Sequence, residues 1–404
     1  MTYLTKQITG MYHIALSLCL ITVTLPSFAQ VNESITSALT RDLQELLAEE
    51  DFVGFSVAIY NEEGSLYERG FGYADKLTQK SYTKHTVQNI ASISKTVSAI
   101  ALLKAQELGK LDLDDPINKH LPFTVINPYY PDVPITIRQI ATHTSSIQDR
   151  GYWYSFNSYV MKGKKQAGEK KKIYFSKPEK MLTLAELYHN YLNPDGKNYR
   201  KKSFSKHKPG EHYQYSNIAS AIGAYIIELA TGEDFKSFTQ QHVFDPLGMD
   251  DTGWSWEDID LDQHSKVYTV SHKPIAPYSL ITYPDGGLRT SAHDMAIYGS
   301  ELVKGYAGRG KLLSPKSYVE IYSGALTPEQ LASRGNDNKG VFFEITDKHQ
   351  IGHSGSDPGV TTLMYFDTDK RVGRYLQVNT EVNKKNRDTF RAIYNKLKEY
   401  ETQF

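Results

Sequence analysis

Residues 89–108, NIASISKTVSAIALLKAQEL, form the stretch around which the rest of the chain is organised. Ser92 and Lys95 are three residues apart, so a helix that begins near Ser92 places the hydroxyl and the amine on one face. The residues from Val97 to Leu108 are apolar almost all round, with Lys104 as the main exception, and a helix of that kind is buried. The sequence therefore predicts a serine and lysine pair at the N-terminus of a central buried helix.

A pair in that position has the properties of an activated nucleophile. The N-terminus of a helix favours negative charge, and a partly desolvated lysine loses its proton more easily. A serine next to such a lysine can attack a carbonyl group. The alternative is an ordinary capping serine followed by a helical lysine, and this spacing alone does not decide between the two.

The composition excludes some partners. The 404 residues suffice for one large or two ordinary domains, and we find no internal repeat or low-complexity tract. The 46 Lys and Arg residues balance 46 Asp and Glu residues, so the net charge favours neither nucleic acid nor an anionic membrane as a partner.

The first 29 residues have the pattern of a secretory signal. Lys6 supplies the positive region, Ile14 to Leu25 the apolar stretch, and Ser27-Phe28-Ala29 a small-x-small cleavage site before Gln30. The apolar stretch is too short and too rich in Ser and Thr for a transmembrane helix, which leaves a retained N-terminal anchor as the alternative. We expect residues 1–29 to be removed and residues 30–404 to form one domain without a stable membrane anchor.

The only cysteine, Cys19, lies within this signal, and Leu18 before it is not the small residue that a lipoprotein site needs. The mature chain would have neither disulfides nor thiolate ligands. Export without disulfides predicts a secreted protein of the bacterial periplasm.

Both ends of the chain predict strands and a helix. Apolar residues from Ile35 to Leu47 follow helical spacing, with Ser34 as a potential cap, and residues 53–59 alternate as in a half-buried strand that returns over residues 66–73. Near the C-terminus, residues 340–345, 361–366 and 372–378 resemble strands, and residues 390–397 a helix. These patterns predict an α+β fold, in which one antiparallel sheet from both chain ends is flanked by helices and a mainly helical region, about residues 110–300, is inserted.

A second group of polar residues, Tyr213 to Asn217, precedes a helical run that ends at Thr231-Gly232, where a glycine cap belongs. Ser216 or Asn217 could simply cap this helix. A Tyr-x-Asn sequence entering a helix can also present a phenol and an amide to one cleft, so both interpretations stay open.

The third group, residues 352–359 with sequence GHSGSDPG, comes just before a predicted strand. Its three glycines allow a backbone to approach a ligand closely. His353 beside them is either part of such a site or an ordinary surface loop residue.

Taken in order, Ser92 to Lys95, Tyr215 to Asn217 and His353 to Gly355 resemble the S-x-x-K, Y-x-N and K/H-x-G motifs of the serine β-lactamase-like superfamily. The resemblance is to the class C branch, which includes class C β-lactamases, D-alanyl-D-alanine carboxypeptidases, D-aminopeptidases and related esterases. It covers nearly the whole mature chain, including residues 109–116, 137–147, 246–249, 286–288 and 291–292. Departures are Ser146, where the family usually has glycine, and a long segment between His143 and Tyr215.

This resemblance implies the β-lactamase/transpeptidase-like fold, an α/β/α sandwich, and acyl transfer through a serine ester. Ser92 would attack the carbonyl while Lys95 and Tyr215 share the removal of its proton. An unperturbed tyrosine is a poor base at neutral pH, so either an ammonium favours its phenolate or a neutral Lys95 acts instead.

The same resemblance implies how a substrate would be bound. Asn217 would orient Lys95 and bind a substrate amide, and the backbone N–H groups of Ser92 and Ser356, the latter following Gly355, would hold the oxyanion. His353 would stand at the edge of the cleft, facing the substrate. Because it occupies the place of a lysine in many β-lactamases and is mostly neutral at pH 7, it favours peptidase or esterase activity over a dedicated β-lactamase.

We therefore expect a D-alanyl-D-alanine carboxypeptidase-like, D-peptidase-like or esterase-type serine hydrolase of the bacterial envelope. The alternatives are a class C-like β-lactamase and a penicillin-binding sensor or pseudoenzyme that acylates without turnover. The expected substrate is a small peptide, ester or β-lactam, with cell-wall material as one source. We expect a monomer with no cofactor and no metal, and we interpret His143 as structural.

The region between His143 and Tyr215 carries two further patterns. Aromatic residues between Tyr152 and Tyr159 either line the substrate cleft or pack as a separate cluster. Basic runs at residues 164–165, 170–172 and 200–202 are typical of solvated loops, with contact to an anionic cell-wall polymer as the alternative.

Overall fold

An eight-stranded antiparallel sheet forms the centre of the computed structural model, which describes residues 28–149, 158–165, 168–170, 175–331 and 337–404, with side chains from residue 33 onward. The order of its strands is β3-β2-β1-β12-β11-β10-β9-β8, so strands from both chain ends meet where β1 pairs with β12. The strands of this sheet are β1 (Gly54–Asn61), β2 (Gly64–Asp75), β3 (Lys80–Ser81), β8 (Asn338–Lys339), β9 (Glu344–Ile345), β10 (Gln350–Asp357), β11 (Val360–Asp367) and β12 (Val372–Val378).

Two pairs of short strands lie outside this sheet. They are β4 (Gln88–Asn89) with β7 (Arg289–Thr290), and β5 (Tyr159–Met161) with β6 (Tyr278–Leu280). The first pair joins the segment before Ser92 to the segment after Gly286-Gly287-Leu288, so it fixes the entry to the buried helix.

The described helices are α1 (Phe28–Leu47), α2 (Ser94–Glu107), α3 (Ile137–Ala141), α4 (Leu184–Leu192), α5 (Asn217–Thr231), α6 (Phe235–Thr239), α7 (Asp245–Leu247), α8 (Tyr283–Gly286), α9 (Ala292–Tyr306), α10 (Pro315–Tyr322), α11 (Pro328–Leu331) and α12 (Arg387–Tyr400). Short 3₁₀ turns cover Ala91–Ile93, Ile117–Lys119, Pro178–Lys180 and Lys201–Ser203, and a π-helical turn covers Gln240–Phe244. Most of these helices lie between the two groups of strands, which confirms the mainly helical middle region.

The two terminal helices, α1 and α12, cover one face of the sheet. Phe55, Val57 and Ile59 of β1 point to that face and pack with apolar residues of both helices. On the opposite face, Ala58 and Tyr60 belong to the larger core, to which α2 and α9 contribute. Helices on both faces of one sheet confirm the α/β/α sandwich. They also explain why β1 is buried on both faces rather than half-buried as its alternation predicted.

Local boundaries differ from the sequence prediction in three places. Ser34 does not cap α1, because the helix already includes the residues from Phe28 onward and Ser34 lies inside it. Residues 340–345 are not one strand. Two short strands, β8 and β9, flank a turn in which Phe342 has φ +56° and is buried. The third motif precedes β11, the strand predicted over residues 361–366, but His353 to Gly355 themselves lie within another strand, β10, which the sequence did not predict.

Some predictions fall outside the described residues. These are the signal from residue 1 to 27, the aromatic residues 152–156, and Lys171 and Lys172 of the basic runs. The described lysines of those runs, among them Lys164 and Lys170, are exposed. Among the described residues, none of the helices has the length and apolar character needed to cross a membrane.

Candidate active site

Ser92 lies in the 3₁₀ turn that leads into α2, partly exposed at the end of a buried helix. The helix itself begins at Ser94, two residues later than expected, but the turn keeps Ser92 and Lys95 on one side. Ala91 has φ +50°, a left-handed conformation that a non-glycine residue adopts at a cost of about 1–3 kcal/mol. The fold therefore holds the backbone just before Ser92, at Ala91, in a conformation that an isolated helix would not adopt.

The Ser92 hydroxyl is where the first two motifs meet. Its Oγ accepts hydrogen bonds from Lys95 Nζ at 3.1 Å and from the Tyr215 hydroxyl at 3.0 Å. Lys95 Nζ also donates to Asn217 Oδ1 at 2.8 Å and to the Asp285 carbonyl oxygen at 2.5 Å. All three ammonium protons thus have acceptors, which fixes the fully buried Lys95 side chain against Ser92.

The proton states of Lys95 and Tyr215 are coupled by their contact. Burial favours the neutral amine, but attraction to Tyr215 and to Asp285 outweighs it, so the pKa of Lys95 is raised. Burial also raises the pKa of Tyr215, and the nearby Lys95 offsets this only in part. Our expectation that desolvation would make Lys95 lose its proton more easily is therefore wrong for the free protein, in which both groups keep their protons at neutral pH.

Other hydroxyls close to Ser92 are engaged in holding the structure. Ser94 Oγ donates to the Ala91 carbonyl at 2.7 Å and accepts from the Leu288 N–H at 3.1 Å. It joins the nucleophile turn to the Gly286-Gly287-Leu288 segment, so its hydrogen-bonding capacity is used within the core.

Ser216 and Asn217 have separate tasks, which resolves the alternatives left open by the sequence. Ser216 is the N-cap of α5, and its Oγ accepts from the Ala219 N–H at 3.1 Å. Asn217 points its amide oxygen at Lys95 instead. Gly232, with φ +80°, ends the helix as predicted.

Asp149 is a residue of this site that the sequence analysis missed. One of its carboxylate oxygens accepts from the Asn217 N–H and side-chain amide, both at 3.1 Å, and the other from the Ile218 N–H at 3.0 Å and Ser216 Oγ at 2.9 Å. A carboxylate at a helix N-terminus is favourable, and here it also fixes which way the Asn217 amide faces. Nothing in the local sequence around Asp149 indicates partners so far along the chain.

His143 supports the tyrosine from behind. Its ring lies 4.4 Å from the Tyr215 ring, centre to centre, and its Nδ1 accepts from the Ser216 N–H at 3.3 Å. It is buried, with φ +58°, and these contacts are those of a structural residue. Ser146, at the position where the related family usually has glycine, has φ +66° and accepts from Asn127 Nδ2 at 2.9 Å.

The third motif brings the edge of the sheet against Ser92. Beyond Gly352, β10 pairs only with β11, so its other edge faces the nucleophile turn. A Cβ atom on Gly355 would lie 2.5 Å from the Ile90 carbonyl oxygen and 2.9 Å from the Ser92 nitrogen. Only glycine permits this approach, and it places the exposed Ser356 directly after the contact. The role of the Ser92 and Ser356 N–H groups as oxyanion donors stays a prediction.

His353 lies deeper than expected. Its side chain is 2% exposed, next to the Tyr215 ring, and not at the open edge of the cleft. Nδ1 donates to the Ser354 carbonyl at 2.6 Å, which leaves Nε2 as a buried acceptor without a hydrogen-bond partner among the described residues. Burial, reinforced by the charge of Lys339, lowers the pKa of His353 to about 3, so the ring is neutral. Its contact with a substrate stays a prediction.

The inserted region reaches this cleft through Tyr159. Its hydroxyl donates to Asp357 Oδ1 at 2.7 Å, one residue after Ser356, and its ring packs with Phe175 and Tyr278. Asn89 Nδ2 donates to the other oxygen of Asp357 at 3.1 Å. Burial raises the pKa of Asp357 to about 7, although these donors oppose the shift. Tyr159 thus belongs both to an aromatic cluster and to the border of the cleft.

Comparison with known proteins agrees with this arrangement. A protein-family model described as beta-lactamase matches residues 39–398. Three curated relatives are PbpX of Bacillus subtilis, 25% identical over 358 residues, the mitochondrial serine beta-lactamase-like protein LACTB of Homo sapiens, 26% over 346, and esterase EstB of Burkholderia gladioli, 29% over 228. The alignment with PbpX covers 84% of this chain and 76% of that protein. The alignment with LACTB covers 75% and 62%, and the alignment with EstB covers 55% and 52%. The chain thus spans less than two thirds of the length of the last two.

Solved structures share the fold. The D-alanine carboxypeptidase AmpC from Burkholderia cenocepacia superposes with a TM-score of 0.64 at 20% identity, covering 91% of this chain and 99% of that protein. A penicillin-binding protein homologue from Pyrococcus abyssi, described as octameric, gives a TM-score of 0.68 at 22% identity, covering 89% and 76%. Antiparallel strands from both chain ends with helices on both faces are therefore the common architecture.

Proposed function

This chain belongs to the beta-lactamase family, and from that premise we propose that it is a serine hydrolase of small peptides or esters that works through a covalent acyl ester on Ser92. The observation that carries the proposal is that the Ser92 hydroxyl accepts hydrogen bonds from two side chains at once. Lys95 and Tyr215 contact its Oγ at 3.1 and 3.0 Å, while Asn217 and Asp285 hold Lys95 in place. A serine with two proton-carrying neighbours is the arrangement that nucleophilic catalysis requires.

In the proposed reaction, the Lys95 and Tyr215 pair first loses one proton to solvent. Ser92 Oγ then attacks the carbonyl carbon of the substrate, and the Ser92 proton passes to that pair. The carbonyl π electrons move to the oxygen, which the Ser92 and Ser356 N–H groups stabilise; removing one such donor typically costs about 3–4 kcal/mol of barrier. When the tetrahedral intermediate collapses, the bond to the leaving group breaks and the pair returns a proton to that group. Water then attacks the ester by the same route and releases the acid.

The substrate class rests on two supports. The curated relatives include an esterase, and one structure with the same fold is a D-alanine carboxypeptidase. In this chain the third-motif position holds the neutral His353 rather than a lysine, so a permanent cation for a β-lactam carboxylate is missing from that position. We therefore favour a D-peptidase-like or esterase-type activity over a class C-like β-lactamase.

A turnover panel tests this choice. The purified protein would be assayed with a peptide ending in D-Ala-D-Ala, a short-chain nitrophenyl ester and a chromogenic cephalosporin. We expect turnover of the peptide or the ester, lost in Ser92→Ala and retained in Ser354→Ala, a serine variant on the neighbouring strand. Cephalosporin turnover that exceeds both would favour a β-lactamase. Stoichiometric acylation without turnover on all three would make the protein a penicillin-binding sensor.

We further propose that the chain is exported to the periplasm of its bacterium, with residues 1–29 as the signal. The described part of helix α1 is Phe28–Leu47, so cleavage after Ala29 would remove two of its residues and keep Gln30 to Leu47. Expression of the full chain in a bacterial host, fractionation and N-terminal sequencing test this. A periplasmic product that begins at Gln30 supports it, and an intact cytoplasmic product contradicts it.

A further inference from the structure

A second lysine lies beside the tyrosine of the site. Lys339, in β8, has a fully buried side chain, and its Nζ is 5.8 Å from the centre of the Tyr215 ring. Lys95 Nζ is 5.1 Å from the same centre. A buried ammonium is costly unless it is paired, so its position next to this ring requires an explanation.

Glu344 is the partner that keeps Lys339 charged. The Lys339 Nζ donates to Glu344 Oε1 at 2.9 Å across the β8–β9 pair, and the Tyr365 hydroxyl donates to the other oxygen. Burial favours the neutral acid, but attraction to the Lys339 ammonium and the hydrogen bond from Tyr365 outweigh it, so the pKa of Glu344 is lowered. The pair is therefore an ammonium and a carboxylate at neutral pH.

His353 does not supply a positive charge next to Tyr215, because its Nδ1 donates to the Ser354 carbonyl and its ring is neutral. Lys339 is therefore the residue next to the third motif that carries a positive charge, since His353 is neutral. Its ammonium lies 5.8 Å from the centre of the Tyr215 ring, and a positive charge close to a phenol favours the phenolate form.

We propose that Lys339, held by Glu344, is a positioning residue that sets the proton affinity of Tyr215. Its ammonium stabilises the phenolate form of Tyr215, and that form accepts the Ser92 proton during acylation. The proposal rests on the proposed function, since it needs Ser92 to be the nucleophile. Lys339 makes no hydrogen bond to Ser92 in the structure, so it acts through the field at Tyr215.

Titratable groups face Tyr215 from several elements. They are Lys95 from α2, Asp285 from α8, His143 from the segment after α3, His353 from β10 and Lys339 from β8, with Glu344 of β9 behind Lys339. Lys95 contacts Ser92 directly, and Asp285 holds Lys95. Lys339 is therefore the lysine near Tyr215 whose charge can be removed without losing a direct contact to the nucleophile.

The test is the pH dependence of covalent labelling of Ser92 by a fluorophosphonate, in wild type, Lys339→Met and Lys339→Arg. In Lys339→Met we expect the midpoint of the rate profile to rise by about one pH unit, with labelling at pH 7 about tenfold slower and the high-pH plateau retained. Lys339→Arg keeps the charge, so its midpoint should stay at that of wild type.

Two further variants separate charge from structure. Glu344→Gln also breaks the ion pair, but it removes the negative charge and leaves Lys339 in place. The midpoint of the labelling-rate profile should therefore not rise in this variant. Lys370→Met is the matched control, because it breaks an ion pair of 3.1 Å in the β11–β12 turn. It should leave the profile unchanged. Circular dichroism across the pH range would confirm that each variant is folded, and Glu344→Gln keeps the proposal testable if Lys339→Met is not.

Three outcomes would overturn the inference: an unshifted midpoint in folded Lys339→Met, a shift of equal size in Lys339→Arg, or a rise in Glu344→Gln. Failure of the proposed function looks different. In that case wild-type Ser92 itself would resist labelling at every pH, whatever the residue at position 339.

Discussion

At the scale of single residues, the protons of Lys95 and Tyr215 control reactivity. The pKa of Lys95 is raised because attraction to its neighbours outweighs burial, and the pKa of Tyr215 is raised by burial. In the free protein both groups are therefore protonated, and one of them must lose its proton before the pair can accept the proton of Ser92. The reactive form gains population as the pH rises and is lost as the pH falls. We expect the acylation rate to decrease about tenfold for each pH unit below the apparent pKa of the pair. A rate that is flat from pH 5 to 9 in a folded protein would contradict this.

Asp149 provides a second prediction at this scale. Asp149→Ala removes the acceptor of two N–H groups at the start of α5 and of the Asn217 amide, so Asn217 no longer holds Lys95 in one orientation. We expect kcat/KM to fall by about 10- to 100-fold, as misplacement of a catalytic group does. Stability should fall by about 1–2 kcal/mol from the lost cap.

The matched control for Asp149 is Ser216→Ala, at the same helix end. It removes the N-cap hydroxyl, which is bonded to the Ala219 N–H and to Asp149, but it leaves Asp149 bonded to the Asn217 amide. It should cost about 1 kcal/mol of stability and leave kcat/KM near wild type. Equal kinetic losses in both variants would mean that Asp149 acts only by stabilising the helix.

At the scale of elements, β10 and the nucleophile turn depend on a glycine between them. Gly355→Ala would place a Cβ 2.5 Å from the Ile90 carbonyl oxygen and from Thr362 Oγ1. Because Ile90 precedes the strained turn, we expect Ser92 to be displaced and acylation to slow by about 100-fold or more. The measurement is the labelling rate, with thermal unfolding as a check.

Gly223→Ala in α5 is the control for this glycine, since a Cβ at that position would meet only ordinary van der Waals contacts, with Leu102 of α2 at 3.5 Å and with Phe342 at 3.9 Å. It should leave labelling unchanged and stabilise the helix by about 0.5–1 kcal/mol. A Gly355→Ala variant that labels as fast as Gly223→Ala would refute the close-packing argument.

Elements also show what the sequence could and could not predict. The terminal hairpins follow from alternating apolar residues, and α2 and α5 follow from apolar runs, with Gly232 as the end signal of α5, because these are local patterns. The strand after the third motif follows from residues 361–366, but the strand that contains the motif does not, because its glycines interrupt any alternating pattern. Gly352 and Gly355 belong to β10, where Gly355 permits the approach to Ser92.

Asp149 and Lys339 could not be found from the sequence because their partners at the site are far away along the chain. Asp149 binds a helix end 68 residues away, and Lys339 contacts a tyrosine from a distant segment. Neither residue lies in a pattern that local spacing reveals. Motif order placed Ser92, Lys95, Tyr215 and Asn217 together, but the residues that hold them are defined only by the tertiary structure.

At the scale of the whole molecule, one buried ion pair joins the C-terminal helix to the centre of the sheet. Arg374 of β12 binds Glu401, just after α12, and both side chains are fully buried. Glu401→Gln leaves the guanidinium without its counter-ion, and breaking a buried pair in this way costs about 3–5 kcal/mol. Chemical denaturation should show this loss.

Glu399→Gln serves as the control on the same helix, because Glu399 pairs with Lys396 near the surface. We expect it to change stability by less than about 1 kcal/mol. Similar losses in the two variants would mean that the buried pair does not hold the C-terminal helix to the sheet.

The central claim is that Ser92 is the nucleophile, and the site of covalent labelling tests it most directly. The folded protein would be treated with a fluorophosphonate, digested, and its modified peptide sequenced by mass spectrometry. The account predicts one adduct on Ser92, dependent on Lys95 and Tyr215 and lost in Ser92→Ala. An adduct on Ser94 or Ser354 with Ser92 unmodified, or labelling that survives in Ser92→Ala, would contradict it.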